Sequence, residues 1–445
     1  LLFGGAFHPY PFLNVDHRRN IGVVLLIGGI MALCHAVDRA VPWHWAAGYA
    51  CAFAGYVLVL SAKPIPFRYM LALAVLVRVL LLPSAPLFTD DHFRYFWDGH
   101  CTVQGLSPYA MTPVAAVQAG LEDPAGLLGR MNSPMYFTSY PPITQAFFAA
   151  AAWIGGSSIP AMTIALRVLF LLVEGLGILA LFRLLRVNGV PAERAWFAVL
   201  NPVLIVEGIG NLHTEVILVP LLVLTLLAMA QRNSWLTGIW LGLAIATKLW
   251  PLLFLLVLPL RYDRSRAILA GGVAVLVFAV LWVPWWTPDL LANVAQSVRL
   301  YGTVFEFNGG VYEALKRVLP EGWVKGSGLM PMLTVLALSV LAWTRAWRTT
   351  AEAMLWIMAI YFALSSTVHP WYVIPLLVIT LCTPYRWPYV YALLMVPTYL
   401  NYAWGTFQQP YAYIAIEHLL LAAVVLWELA RYSTPGRAMV ARLRR

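Results

Sequence analysis

Leu87-Phe-Thr-Asp-Asp-His-Phe-Arg-Tyr-Phe-Trp-Asp-Gly99 runs on to Gly105-Leu-Ser-Pro-Tyr109 and follows a hydrophobic segment that ends near Pro83. Two adjacent carboxylates, Asp90 and Asp91, therefore fall where a membrane-crossing helix should meet water. Arg94, Tyr95 and Asp98 follow within about two helical turns. Ionisable residues at a membrane boundary are costly to hold, so such a cluster points to function by default. Thr-Asp-Asp ahead of an aromatic run is also a helix-start signal. Taken alone, the pair reads equally well as a cap or as chemistry.

The rest of the chain gives that boundary its meaning. Of 445 residues, 61% are hydrophobic and 11% charged, against the roughly 25% charged of a soluble domain. The mean hydropathy is +0.77. Apolar runs of about 20 residues recur throughout, which fits spanning helices and excludes a β-barrel, whose strands would alternate. Nineteen Trp and 21 Tyr, several at predicted ends of spans, suit an aromatic belt. The net charge of +10 is explained by cytoplasmic loops and by the tail Arg431–Arg445. Its basic residues are scattered between apolar spans, which argues against nucleic-acid binding. Cys34, Cys51, Cys101 and Cys382 form no metal-binding spacing. The chain opens on Leu1 with no cleavable signal before the first span, so its start is expected to be trimmed.

Arg18 and Arg19 place the N-terminus inside. Spans are predicted at 21–37, 45–62 and 68–84, and the basic loop Lys63–Arg68 puts the Asp90/Asp91 end outside. The stretch 85–140 is dense in Pro and aromatic residues and reads as a folded piece lying on the membrane. A segment at 141–157 is expected to skim the surface, with a span at 161–183 behind it. Arg167 and Glu174, seven residues apart, share a helical face there and read as a structural ion pair. Arg183, Arg186, Arg194, Arg261, Arg264 and Arg266 belong inside. That sidedness is kept if 235–260 is a re-entrant pair of half-helices breaking at Lys248–Pro251, since irregular backbone at depth survives only where protein or a wet cavity covers it. A plain fourteen-span count also satisfies both termini. Further spans follow at 212–230, 267–285, 327–344, 350–367, 369–383, 386–403 and 411–431. The expected architecture is one all-α polytopic membrane domain of about 12–14 spanning or re-entrant segments. Within it lie N-terminal spans (1–84), an external catalytic loop (85–140), core spans with interrupted helices (141–266), and C-terminal spans (267–445) around an external loop at 286–326.

Asp91-His-Phe-Arg-Tyr95 resembles the Asp-x-x-(Arg/Val)-Tyr signature in the first external loop of GT-C glycosyltransferases. Gly105-Leu-Ser-Pro-Tyr109 resembles the Gly-x-(Ser/Asn)-Pro-Tyr that follows in their mannosyltransferase branches. Asn201-Pro…Glu207…Asn211-Leu-His213-Thr-Glu215 is similar to an Asn-Pro…Glu element of bacterial polyprenyl-phosphate mannosyltransferases. Glu207, Asn211 and Glu215 would share a face if that helix were continuous. Lys248-Leu-Trp-Pro251 resembles a Lys-x-x-Pro carried inside a span of the superfamily. A phosphate partner for Lys248, and pairing with Glu207 or Glu215, explain it equally well. His369-Pro-Trp-Tyr372 resembles a late external motif. Belt anchoring accounts for Trp371 and Tyr372 but leaves His369 as a donor-phosphate contact.

The resemblance implies an inverting glycosyltransferase. It would move a monosaccharide, mannose by the branch matched, from a polyprenyl-phosphate carrier to a lipid or glycan hydroxyl. Asp91 would be the base and Asp90 its support or a metal contact. Arg94, Tyr95, Asp98, Tyr109, Tyr140, Glu207, Asn211, His213, Glu215, Lys248, Glu306, His369 and Tyr372 would contact substrate. No cofactor is implied with certainty. A divalent metal finds little support, because the strict Asp-x-Asp motif is absent and His213 with one nearby Glu falls short of a zinc set. The expected location is a bacterial inner membrane, with the site on its external face. The chain departs from the protein O-mannosyl and aminoarabinose branches in lacking a large external C-terminal domain. The rival reading is a transporter or flippase for a lipid-linked sugar or another anionic lipid. Transporters often interrupt helices in corresponding halves, and this chain shows one interrupted region.

Overall fold

A computed structural model describes residues 15–432 apart from residues 36, 62–65, 304, 327, 345, 346 and 406. Lys63, Arg345, the lead up to residue 14 and the basic tail from residue 433 lie outside the described residues. Among the described residues the regular elements are helices, and extended pairing is confined to bridges from Phe307 and Asn308 to Thr367. The chain is an all-α polytopic membrane protein. Among the described residues, five helices are long and apolar enough to cross a membrane: His17–His35, Pro42–Ser61, Ile159–Val187, Arg264–Trp285 and Tyr411–Tyr432. Large apolar side chains on their outer faces, such as Leu172, Leu176 and Leu179, are exposed, as lipid contact requires.

Helix α1 (Val15–His35) and helix α2 (Pro42–Ser61) form a hairpin whose backbones nearly touch. A Cβ added at Gly55 would lie 2.3 Å from the Leu26 nitrogen. Small residues serve this purpose in membranes, where apolar contact alone does not favour one helix over lipid. Helix α3 (Phe67–Val79) carries in its last turn Arg78, whose guanidinium donates to both oxygens of Glu174 at 2.7 and 2.6 Å in a buried bidentate pair. The Arg167–Glu174 pairing expected from sequence is therefore not formed. Seven residues on a helix are about 10.5 Å of rise, too far for contact between the two heads. Arg167 instead donates to the carbonyls of Leu82, Ser84, Ile209 and Gly210, at 2.7 to 2.9 Å. These are ends of broken elements, where helical partners run out.

Two breaks shape the interior. The polar stretch after Asn201 is a π-helical turn, Leu204–Gly210, bent by 115° from the helix Glu215–Ala230. Leu212 sits at the bend with a left-handed φ of 61°. The continuous face sought for Glu207, Asn211 and Glu215 does not exist. Farther on, helix Ser234–Ile245 stops short of Lys248, and the chain resumes as the 3₁₀ segment Trp250–Val257 and helix Leu258–Arg261. The two limbs return to one place. Thr237 Oγ1 lies 2.7 Å from the Tyr262 hydroxyl, and Arg261 Nε donates to the Met229 carbonyl at 2.6 Å. The helical run is interrupted between Ile245 and Trp250, next to the Lys248–Pro251 break expected from sequence. Several expected C-terminal spans are shorter or broken: 386–403, for example, divides into Trp387–Leu394 and a 3₁₀ stretch, Val396–Gly405.

Candidate active site

Helix α4 (Asp91–Val103) presents the quoted motif. It starts at Asp91 because Asp90 leaves helical geometry and Thr89 Oγ1 accepts from the Asp91 amide at 3.1 Å. Its seat is fixed from two sides. At Gly99 a Cβ would lie 2.2 Å from the Phe148 carbonyl, so α4 rests directly on the backbone of helix Pro142–Gly155. Ahead of α4, the Leu87 and Phe88 amides donate to Asn211 Oδ1 at 3.1 and 3.2 Å. Asn211 in turn donates to Glu207, which accepts from the Tyr49 hydroxyl at 2.6 Å. Glu207 and Asn211 thus stand behind the site, holding the approach to Asp91.

Arg94 and Asp98 pair at 2.7 Å, fully buried. Arg94 also donates to the Ser133 and Tyr136 carbonyls, and Asp98 accepts from Thr138 and Gln145, which fastens the 133–138 segment over α4. Asp98 is off the cavity wall, while Arg94 borders it. Tyr95 stacks on Phe148 with ring centroids 4.4 Å apart. Tyr109 lies in a separate apolar cluster with Trp285 and Leu290, where its hydroxyl donates to the Tyr140 carbonyl.

A cavity of about 530 Å³ opens in front of Asp91. Asp90, Asp91, Arg94, Tyr95, Tyr140, His213, Glu215, Lys248, Glu306, His369 and Tyr372 all border it. Of the expected site residues, Asp98, Tyr109, Glu207 and Asn211 do not. The Asp91 carboxylate accepts from Asn132 Nδ2 at 2.8 Å. Burial pushes its pKa above the ordinary carboxylate value, with the Asn132 hydrogen bond opposing. On the facing wall Glu306 behaves oppositely. Burial pushes it up, but hydrogen bonds from Lys316 at 2.6 Å and Tyr312 at 2.8 Å outweigh this and hold it low. The two cavity carboxylates are thus shifted in opposite directions, Asp91 by burial and Glu306 by its local ion pair.

Lys248 is bonded to Glu215 and stands 4.7 Å from the centre of the Tyr372 ring. Of the two carboxylates the sequence allowed, Glu215 is the partner. One oxygen of Glu215 is buried without a hydrogen bond. His213 and His369 both stack on Trp371, with centroids 3.6 and 4.3 Å away. His213 Nδ1 lies 2.8 Å from the Glu207 carbonyl, and the buried His369 Nδ1 has no hydrogen-bond partner among the described residues. Sequence reasoning missed Arg39, Asn132, Trp250 and Tyr402 on this wall. One signal was available for Arg39: a basic residue in a short turn that the predicted sidedness puts outside runs against the positive-inside bias. Among the described residues, no three His, Cys, Asp or Glu side chains gather as a metal-holding group.

With this geometry in view, the relatives are informative. A family model described as "Alpha-(1->6)-mannopyranosyltransferase, N-terminal domain" matches residues 6–262. The chain belongs to this mannosyltransferase family. Similar proteins include alpha-(1->6)-mannopyranosyltransferase A of Mycobacterium tuberculosis, 28% identical over 50% of this chain and 45% of that protein. A polyprenol-phosphate-mannose-dependent alpha-(1-2)-phosphatidylinositol mannoside mannosyltransferase of Mycolicibacterium smegmatis is 30% identical over 66% and 69%. Alpha-(1->6)-mannopyranosyltransferase B of Corynebacterium glutamicum is 33% identical over 36% and 27%. The chain thus spans less than half of the first of these relatives and about two thirds of the second. None of these names gives support to the transporter reading. The family match takes in α1–α4, the π-helical break and Lys248, whereas Glu306, His369 and Tyr372 complete the cavity from beyond it.

Proposed function

We propose that this chain transfers mannose from a polyprenyl-phosphate carrier to a hydroxyl of a lipid or glycan acceptor, on the external face of a bacterial inner membrane. The observation that carries this is the cavity itself. It brings into one cavity a carboxylate of raised proton affinity, Asp91, a cation, Lys248, and a His369 nitrogen with no hydrogen-bond partner among the described residues.

In the reaction, Asp91 takes the proton of the acceptor hydroxyl as its oxygen attacks the anomeric carbon. The bond from that carbon to the carrier phosphate breaks, and the phosphate leaves with the electron pair. Attack opposite the leaving group inverts the anomeric centre. A positioned base contributes roughly 10²–10⁴-fold. Lys248 and His369 meet the departing phosphate, and Glu215 holds Lys248 in place while the cavity is empty. Arg94 and Asp98 act by positioning, since both are committed to the 133–138 segment. Glu207 and Asn211 position Asp91 from behind.

The test is a transfer assay with purified protein, radiolabelled polyprenyl-phosphate mannose and phosphatidylinositol mannoside, the acceptor named for two relatives. Label passing into a larger glycolipid supports the reading. Label retained on the carrier with that acceptor and with total lipid extract overturns it.

A further inference from the structure

Arg39 occupies the turn between α1 and α2, outside every motif considered above. Its Nη2 lies 2.5 Å from Asp90 Oδ2, and its guanidinium sits 4.9 Å from the centre of the Tyr402 ring. One side chain therefore ties three places together: the α1–α2 turn, the residue just ahead of α4, and the 3₁₀ stretch Val396–Gly405. All three of these residues border the cavity. Asp90 is the immediate neighbour of the proposed base, and without Arg39 it would face Asp91 as an unpaired like charge.

We propose that Arg39 is a positioning residue for the base: it ties up the Asp90 carboxylate just ahead of α4 and cancels its charge, so that Asp91 alone meets the acceptor hydroxyl. The proposal rests on the assignment of Asp91 as base. The charges around Asp91 are consistent with it. After burial, which raises its pKa, and the Asn132 hydrogen bond, which lowers it, Asp90 raises it while Lys248 and Arg39 lower it. Glu215, bonded to Lys248, and the Tyr402 hydroxyl are the other ionisable groups whose charge couples to Asp91. Because the deprotonated carboxylate is the active form, the transfer rate rises with pH through the pKa of Asp91. Removing Arg39 alone leaves Asp90 uncompensated and moves that limb to higher pH. Removing Asp90 alone moves it to lower pH, and removing both returns it.

The experiment is the pH dependence of kcat for the full chain in lipid nanodiscs, with the donor and acceptor above. It compares wild type, Arg39→Met, Arg39→Lys, Asp90→Asn and the Arg39→Met/Asp90→Asn double variant. The acidic limb of Arg39→Met is expected at higher pH than that of wild type. The limb of Asp90→Asn is expected lower, and those of Arg39→Lys and the double variant close to wild type. Arg39→Met should lose turnover at acidic pH and regain it at alkaline pH, which a loosened fold would not do. If Arg39→Met does not fold, a folded double variant with the wild-type limb still supports the proposal. Coincident limbs for wild type and Arg39→Met overturn it, as does equal loss at every pH that the double variant fails to restore. Absence of transfer by wild type overturns the underlying functional reading, and this proposal with it.

Discussion

Lys248 shows how far a single residue can be read. A lysine inside an apolar stretch needs an anion, and the sequence supplied three: a donor phosphate, Glu207 and Glu215. The structure pairs it with Glu215 while leaving it on the cavity wall. Both roles can therefore be separated by measurement. Lys248→Met keeps most of the apolar stem and removes the charge. Affinity for a non-hydrolysable polyprenyl-phosphate analogue should fall by about 1.5–3 kcal/mol, or roughly 10- to 150-fold. Equal dissociation constants for the two proteins would leave Lys248 as architecture, whatever happens to melting temperature, since Glu215 loses its partner either way. Asp91, Lys248 and His369 were legible because each breaks the apolar pattern at a place where the pattern should hold. Arg39 was not, because a lone arginine in a short turn gives no hint of which carboxylate it will meet. Arg167 and Glu174 misled for a related reason: a shared face restricts direction, and the partners come from other segments.

At the scale of elements, the site depends on how α4 is seated. The contact at Gly99 is backbone to backbone, and a methyl group there has nowhere to go. Gly99→Ala should cost about 1–3 kcal/mol through overpacking and lower turnover by tilting Asp91, with a visible drop in melting temperature. Gly272→Ala, where an added Cβ meets nothing within 4 Å, is the control and should leave both unchanged. Equal behaviour of the two variants would show that α4 is not held by this contact. The interrupted hairpin around Lys248 was legible, because a charge and a proline together cannot continue a span. The π-helical break was legible only as a stretch too polar and too interrupted by Gly and Pro for an ordinary span. Polar residues spaced by four suggest one continuous face, and only packing shows that the chain bends by 115° between Glu207 and Glu215. That bend puts Glu207 and Asn211 behind the site and Glu215 in front of it.

At the scale of the molecule, the apolar composition and the recurrence of long runs were enough for an all-α membrane fold, while the basic loops give a sidedness that stands as a prediction. The number of unbroken crossings was not legible, because 3₁₀ turns and prolines divide runs that look uniform in sequence. The sidedness can be checked in a cysteine-free background. Glu122→Cys should react with an impermeant maleimide from outside intact cells, and Arg264→Cys only after the membrane is opened. Reaction of both from the same side would invert or break the topology. The central claim, that Asp91 is the base in a mannosyl-transfer cavity, is tested most directly by the turnover of purified Asp91→Asn beside wild type, at equal occupancy of donor and acceptor. The account predicts unchanged melting and donor affinity with transfer reduced by roughly 10²–10⁴-fold. Transfer by Asp91→Asn at the wild-type rate would contradict it.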